Sequence, residues 1–261
     1  MSRGLIVVDV QNDFCEGGSV PVTGGARIAS TIADLVERSA GRDYQYVVAT
    51  RDHHIDPGSH FSEHPDFQDS FPLHCVAGGE GSEFHPHFAP VVTGGKVHAV
   101  FFKGAHSASK SGFEGADVEG TSLADWLRAR GIEDVDVVGI ATDHCVRATA
   151  LDAVAAGFRT RVRLDCSVGA APHTTAAALN DFRQAGVAVS GEASVPEQSW
   201  HRLSRPPVRW LRNMRGEACA ESSRTRCRPG RRSTLCCFYC LASRSRSANF
   251  SAAAVLPVIL T

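Results

Sequence analysis

The chain has 261 residues, 43% of them hydrophobic and 21% charged, enough for one α/β domain with a sizeable core or for two smaller ones. Its formal net charge of −1 conceals a split: residues 1–200 carry 15 Lys and Arg against 26 Asp and Glu, whereas residues 201–261 carry 12 Arg, no Lys and two Glu. No run of about 18 apolar residues is present to span a bilayer, and no secretory signal opens the chain, so a cytoplasmic protein with free thiols is expected.

In chain order, residues 5–8 form an apolar strand-like run that ends at Asp9. Residues 25–40 show helical spacing through Ile28, Ile32, Leu35 and Val36. A second strand, 46–49, leads to Arg51 and Asp52, and a third, 97–102, ends at Lys103. "SLADWLRAR" at 122–130 reads as a helix stopped by Gly131. A fourth strand, 135–140, includes the short β-branched run Val137, Val138 and Ile140. Thr142 or Asp143 can cap the helix after it, whose apolar positions include Val146, Ala150, Leu151 and Val154. Strands at 159–164 and 187–190, with a helix at 175–184 between them, complete the pattern. Such alternation predicts a parallel sheet with helices on both faces.

Parallel sheets bind ligands beyond the carboxyl ends of their strands. Those ends here carry Asp9, then Asp52 with His54, then Lys103, then Cys145. A turn Asp or a solvated Lys is ordinary taken singly, but four reactive groups at successive strand ends should converge on one cleft. Cys145 itself has two readings. Free cysteines mostly pack as small hydrophobes, whereas one in the first turn of a helix meets the positive end of the dipole and free N–H groups, which favour thiolate. Asp9 suits the base that takes the thiol proton, and Lys103 the cation that keeps the group near neutral.

A second cluster lies in "RDHHIDPGSHFSEHPDF" and "FPLHC". Asp52 and His54 are two apart, so an extended backbone turns both to one side. His60 and His74 follow in loops, and one carboxylate with three imidazoles suits zinc, iron or manganese. Histidines also occur at 53, 64, 85 and 87, so spacing alone does not choose the set.

The stretches "LIVVDVQNDFCEGGSVPVTGG", "DHHIDPGSHF", "FFKGAHSASKSGFEG" and "VVGIATDHCVRATALDA" together resemble the nicotinamidase/pyrazinamidase branch of the isochorismatase-like cysteine hydrolases, from about residue 3 to residue 190. The resemblance implies a single domain over 1–195 with a six-stranded parallel sheet flanked by helices, and an amidase converting nicotinamide to nicotinate and ammonia. It implies Asp9, Lys103 and Cys145 as the catalytic triad and Asp52, His54, His60 and His74 as ligands of one divalent metal ion. The metal, or a water on it, would anchor the ring nitrogen, and the N–H groups of Ala141 and Cys145 would form the oxyanion hole. Phe14, Phe71, Ile140, Lys110 and His144 would line the ring pocket, and the Ile140–Ala141 peptide would be cis. Phe71 stands where close relatives often have tryptophan, and His106 and Lys110 where they tend to have tyrosine. Arg147 and Asp143 read as structural, and Cys166 as a packed core thiol.

From about residue 196 the periodicity fails, leaving an irregular Arg/Cys/Ser-rich tail with five cysteines. Nucleic-acid binding by its arginines and a zinc site at "CCFYC" are both weak readings. Arg, Ser, Cys and Pro without Lys looks like GC-rich DNA read in a shifted frame. Such a tail is expected to be disordered and to add nothing to the enzyme. A monomer or small homo-oligomer acting on a small amide is the expected assembly, without membrane partners. The rivals are a hydrolase of the same superfamily acting on another amide or carbamoyl substrate, or isochorismate, and a non-catalytic scaffold. The metal quartet and the cysteine argue against them.

Overall fold

A computed structural model of the chain describes residues 2–195. The tail expected over 196–261 lies outside the described residues. Six strands form one sheet: β1 (Arg3–Val8), β2 (Tyr46–Asp52), β3 (Ala99–Lys103), β4 (Asp134–Ile140), β5 (Arg159–Val168) and β6 (Ala188–Ser190). Their order is β3-β2-β1-β4-β5-β6, and every pairing is parallel. All six predicted strands are present; β5 runs four residues further than its apolar pattern reached, to Val168.

Period-two alternation sends the side chains of β1 into two separate cores. Leu5 and Val7 pack with Ile28, Ile32 and Val36 of helix α1 (Gly25–Ser39) on one face. Ile6 and Val8 pack on the other with Leu123 and Leu127 of α3 (Leu123–Ala129), Val146 and Ala150 of α4 (Cys145–Ala155) and Phe182 of α5 (Pro172–Ala185). Each such aliphatic side chain, fully buried, contributes about 1.5–3 kcal/mol. Helix α2 (Ala89–Thr93) escaped the sequence reading because five residues are too few to show a period. Helix α5 begins three residues earlier than expected, with Pro172 in its first turn, where the missing N–H costs nothing.

After β1 the chain moves outward to β2 and β3, then returns to lay β4 on the other side of β1. That reversal opens a crevice at the carboxyl ends of β1 and β4, the usual ligand position in such sheets. The two strands come close there, and Val8 pairs with Gly139. Gly139 has φ +132°, and a Cβ at that position would lie 2.1 Å from the Val8 carbonyl oxygen. Only glycine fits.

Candidate active site

The four groups read from the strand ends meet in this crevice. Asp9 follows β1 with φ +50°, a left-handed conformation that a short polar side chain tolerates better than most. Its Oδ1 accepts a 2.6 Å hydrogen bond from Thr50 Oγ1, and its Oδ2 lies 2.9 Å from Lys103 Nζ. Lys103 closes β3; its ammonium also contacts Asp52 Oδ1 and stands 3.8 Å from Cys145 Sγ. Asp9, Asp52 and Lys103 are all buried, whereas Cys145 is half-buried at the base of the cleft.

Burial and charge set the protonation states of this group. Burial raises the Asp9 carboxyl, against Lys103, and the nearby Asp52 raises it further. Burial would also raise Asp52, but Lys103 and the His54 ring outweigh it and hold that carboxyl below its ordinary value. Burial alone would lower Lys103, yet the two carboxylates push it well above the usual lysine range, so it is an ammonium. The Cys145 thiol is pushed well above its ordinary value, first by burial, with Asp9 and Asp52 adding to the effect against Lys103. Burial and two carboxylates outweigh one ammonium, so the proton that Asp9 is expected to take is present at rest. The resting nucleophile is a thiol beside a carboxylate of increased basicity.

The capping expectation is corrected. His144, not Thr142 or Asp143, occupies the N-cap of α4, with no capping bond from its side chain. Asp143 turns instead to the start of α5, where its carboxylate accepts from the N–H groups of Ala170 (2.8 Å) and Ala171 (3.1 Å) and from the Thr174 hydroxyl. Arg147 reaches Asp181 of α5 at 2.6 Å. Both residues therefore brace the turn that carries Cys145 against the next helix. The Ile140–Ala141 peptide is cis. The Ala141 carbonyl accepts from the N–H groups of His144 and Val146, while Cys145 opens α4, whose first N–H groups have no acceptor within the helix.

Beside these residues, His54, His60 and His74 bring ring nitrogens within 4.8 Å of one another. The Nδ1 of each faces a backbone carbonyl: Gly104 for His54 (2.6 Å), Asp69 for His60 (2.9 Å) and Pro72 for His74 (2.8 Å). A carbonyl only accepts, so Nδ1–H donates and Nε2 keeps its lone pair. Burial lowers His60, and it lowers His74 to about 4, so both rings are neutral at pH 7. His54 Nε2 is buried without a hydrogen-bond partner. Three imidazoles oriented by carbonyls, with an orphaned buried nitrogen among them, fit a divalent metal ion. Asp52 stands between the two clusters: its Oδ1 is on Lys103, and its Oδ2 is 3.9 Å from His54 Nε2. Among the other histidines, the His53 ring turns away onto Phe102, and His85 and His87 pair with each other elsewhere.

The cleft above opens to solvent and is lined by Phe14, Phe71, Ile140, Ala141, Lys110 and His144, together with Cys145 and two of the imidazoles. Val22 and Ser109 line it too, and neither carried a periodic or chemical signal in the sequence. Gln11 was also missed. Its amide donates to the Asp52 carbonyl and accepts from the Asp52 N–H, both at 2.9 Å, fixing that residue from either side. Nothing in a single sequence marks a glutamine as buried.

Fold and site together define an α/β protein that can carry out nucleophilic chemistry at sulfur beside a metal-competent cluster. The chain belongs to the Isochorismatase domain family, which matches residues 3–194. It is 56% identical over 185 residues to a nicotinamidase/pyrazinamidase of Mycobacterium tuberculosis, covering 71% of this chain and 96% of that protein. The structure is similar to that of a pyrazinamidase of Pyrococcus horikoshii in complex with zinc, with a TM-score of 0.58 and 32% identity over 74% of this chain and 100% of that one. It is also similar to PnC1 from L. infantum in complex with nicotinate, with a TM-score of 0.63 and 30% identity over 75% and 95% of the two chains.

Proposed function

We propose that the chain is an amidase hydrolysing nicotinamide to nicotinate and ammonia, and pyrazinamide likewise, a step of NAD salvage carried by residues 1–195. The observation that carries this reading is the placement of Asp9, Lys103 and Cys145 against three metal-competent imidazoles at the floor of one aromatic cleft. The relatives named above support the substrate class.

The ring of the amide fits between Phe14 and Phe71, with its carboxamide directed at Cys145. The thiol proton passes to Asp9 as sulfur bonds to the carbonyl carbon. The N–H groups of Ala141 and Cys145 receive the developing oxyanion, each donor worth about 2.7–4 kcal/mol in comparable sites. Asp9 returns the proton to nitrogen, the C–N bond breaks and ammonia leaves a thioester. A water then gives its proton to Asp9 and attacks the thioester, and the same proton reprotonates the departing sulfur. Lys103 stays an ammonium throughout and compensates the Asp9 carboxylate. His54, His60 and His74, with Asp52, would hold the divalent ion (zinc, iron or manganese), which supplies a Lewis-acid centre for the ring nitrogen. All these side chains come from one chain, which suits a monomer or a small homo-oligomer. The four described cysteines are free thiols, which suits a reducing cytoplasm.

Ammonia release from nicotinamide by the purified protein tests the reading; a folded, metal-loaded chain that releases none rejects it. Exhaustive chelation should lower turnover by about a hundredfold or more. Returning zinc, manganese or iron(II) should restore the wild type but not a His54→Ala variant. Acidification should also inactivate. Asp9 accepts a proton only as carboxylate, and its raised pKa places the acid limb of kcat/KM above the ordinary aspartate range of about 3.9. Metal content measured at each pH separates this limb from loss of the ion.

A further inference from the structure

We propose that Lys110 is a positioning residue, a latch that ties the wall of the cleft carrying Cys145 to the wall carrying His60. This rests on the amidase reading for its substrate but not for its geometry. The latch has a fixed root. The N–H groups of Lys110 and Ser111 both donate to Glu114 Oε2, at 2.8 and 2.7 Å, and the next residue, Gly112, donates to Thr149 Oγ1 of α4 at 2.8 Å. The backbone of Lys110 is therefore bound to the helix that opens with Cys145.

Its head reaches across the cleft. Lys110 Nζ donates to the Gln68 carbonyl at 2.6 Å and stands 3.5 Å from Asp69 Oδ1. The Asp69 carboxylate is 91% exposed, so the ion pair contributes little, and the charge-assisted bond to the carbonyl carries the contact. That carbonyl belongs to a preformed loop: Asp66 Oδ1 accepts from the N–H groups of Gln68, Asp69 and Ser70, each at 2.9 Å. These bonds tie the loop together, and it ends in the site. The Asp69 carbonyl accepts from His60 Nδ1 at 2.9 Å, and Phe71, which follows, lines the cleft and donates its N–H to the His60 carbonyl at 2.8 Å. One ammonium thus holds in register the ring that faces the metal position and the ring that faces the substrate.

Hydrogen–deuterium exchange of the zinc-loaded full chain tests this directly, on wild type, Lys110→Met, Lys110→Arg and a Lys96→Met control. Lys96 pairs with Glu37, away from the cleft. Exchange over residues 66–71 should be at least about tenfold faster in Lys110→Met, near wild type in Lys110→Arg, which keeps a donor, and unchanged in the control. Zinc transfer to a chelator should accelerate about fivefold or more in Lys110→Met, and KM for nicotinamide should rise about tenfold in zinc-saturated enzyme. Unchanged exchange over 66–71 in Lys110→Met overturns the latch. Faster exchange with unaltered zinc transfer overturns its reach to His60. Wild type that fails to hydrolyse nicotinamide, while exchange responds as described, rejects the substrate reading and leaves the latch standing.

Discussion

Replacing Cys145 with alanine is expected to reduce nicotinamide turnover by about ten-thousand-fold or more, the scale seen when a covalent nucleophile is removed from a preorganised site. The side chain is half-buried and packs only at the margin of the core around Val146 and Ala150, so the thermal transition should stay within a few degrees of wild type. The imidazole cluster is separate from the sulfur, so bound metal should remain near one equivalent. What is lost is the bond-forming atom. Asp9, left without a thiol, still meets Lys103 at 2.9 Å and cannot replace sulfur as the attacking group. Ammonia release and metal content measured on the same preparation check this. An alanine variant that turns over at even a hundredth of the wild-type rate would remove the thioester from the mechanism.

Gly139→Ala should have the largest effect on stability. At φ +132° an alanine is strained before any contact is considered, and its Cβ would lie 2.1 Å from the Val8 oxygen and 2.8 Å from the Val8 carbon and nitrogen. Those are backbone atoms of the central strand and cannot swing aside as the end of a side chain would. The combined strain and displacement should cost about 4 kcal/mol or more, a fall in Tm of about 10 °C or more for a domain of this size. Relief requires β1 and β4 to separate at the ends that carry Asp9 and Cys145, so residual activity should fall further than the folded fraction. Denaturant unfolding together with kcat measured well below the transition separates the two effects. A variant with wild-type stability would show that the close approach at Val8 is not obligatory.

By itself the sequence determined the alternation of strands and helices. Period-two and period-3.6 apolar patterns are local, and each strand or helix must bury a face wherever it ends up. It also placed Asp9, Asp52, Lys103 and Cys145 at the carboxyl ends of strands, which was enough to expect one cleft. The choice of His54, His60 and His74 among twelve histidines came from motif resemblance, because loop spacing carries no geometry. Tertiary structure alone decided the rest. The strand order that lays β4 beside β1 depends on pairings between residues some 130 positions apart. The brace from Asp143 to α5, the grip of Gln11 on Asp52 and the reach of Lys110 to Gln68 join segments with no local relation. What raises the Cys145 thiol was hidden for the same reason: a helix N-terminus is visible in a local pattern, but burial and the charges of Asp9 and Asp52 belong to the folded chain.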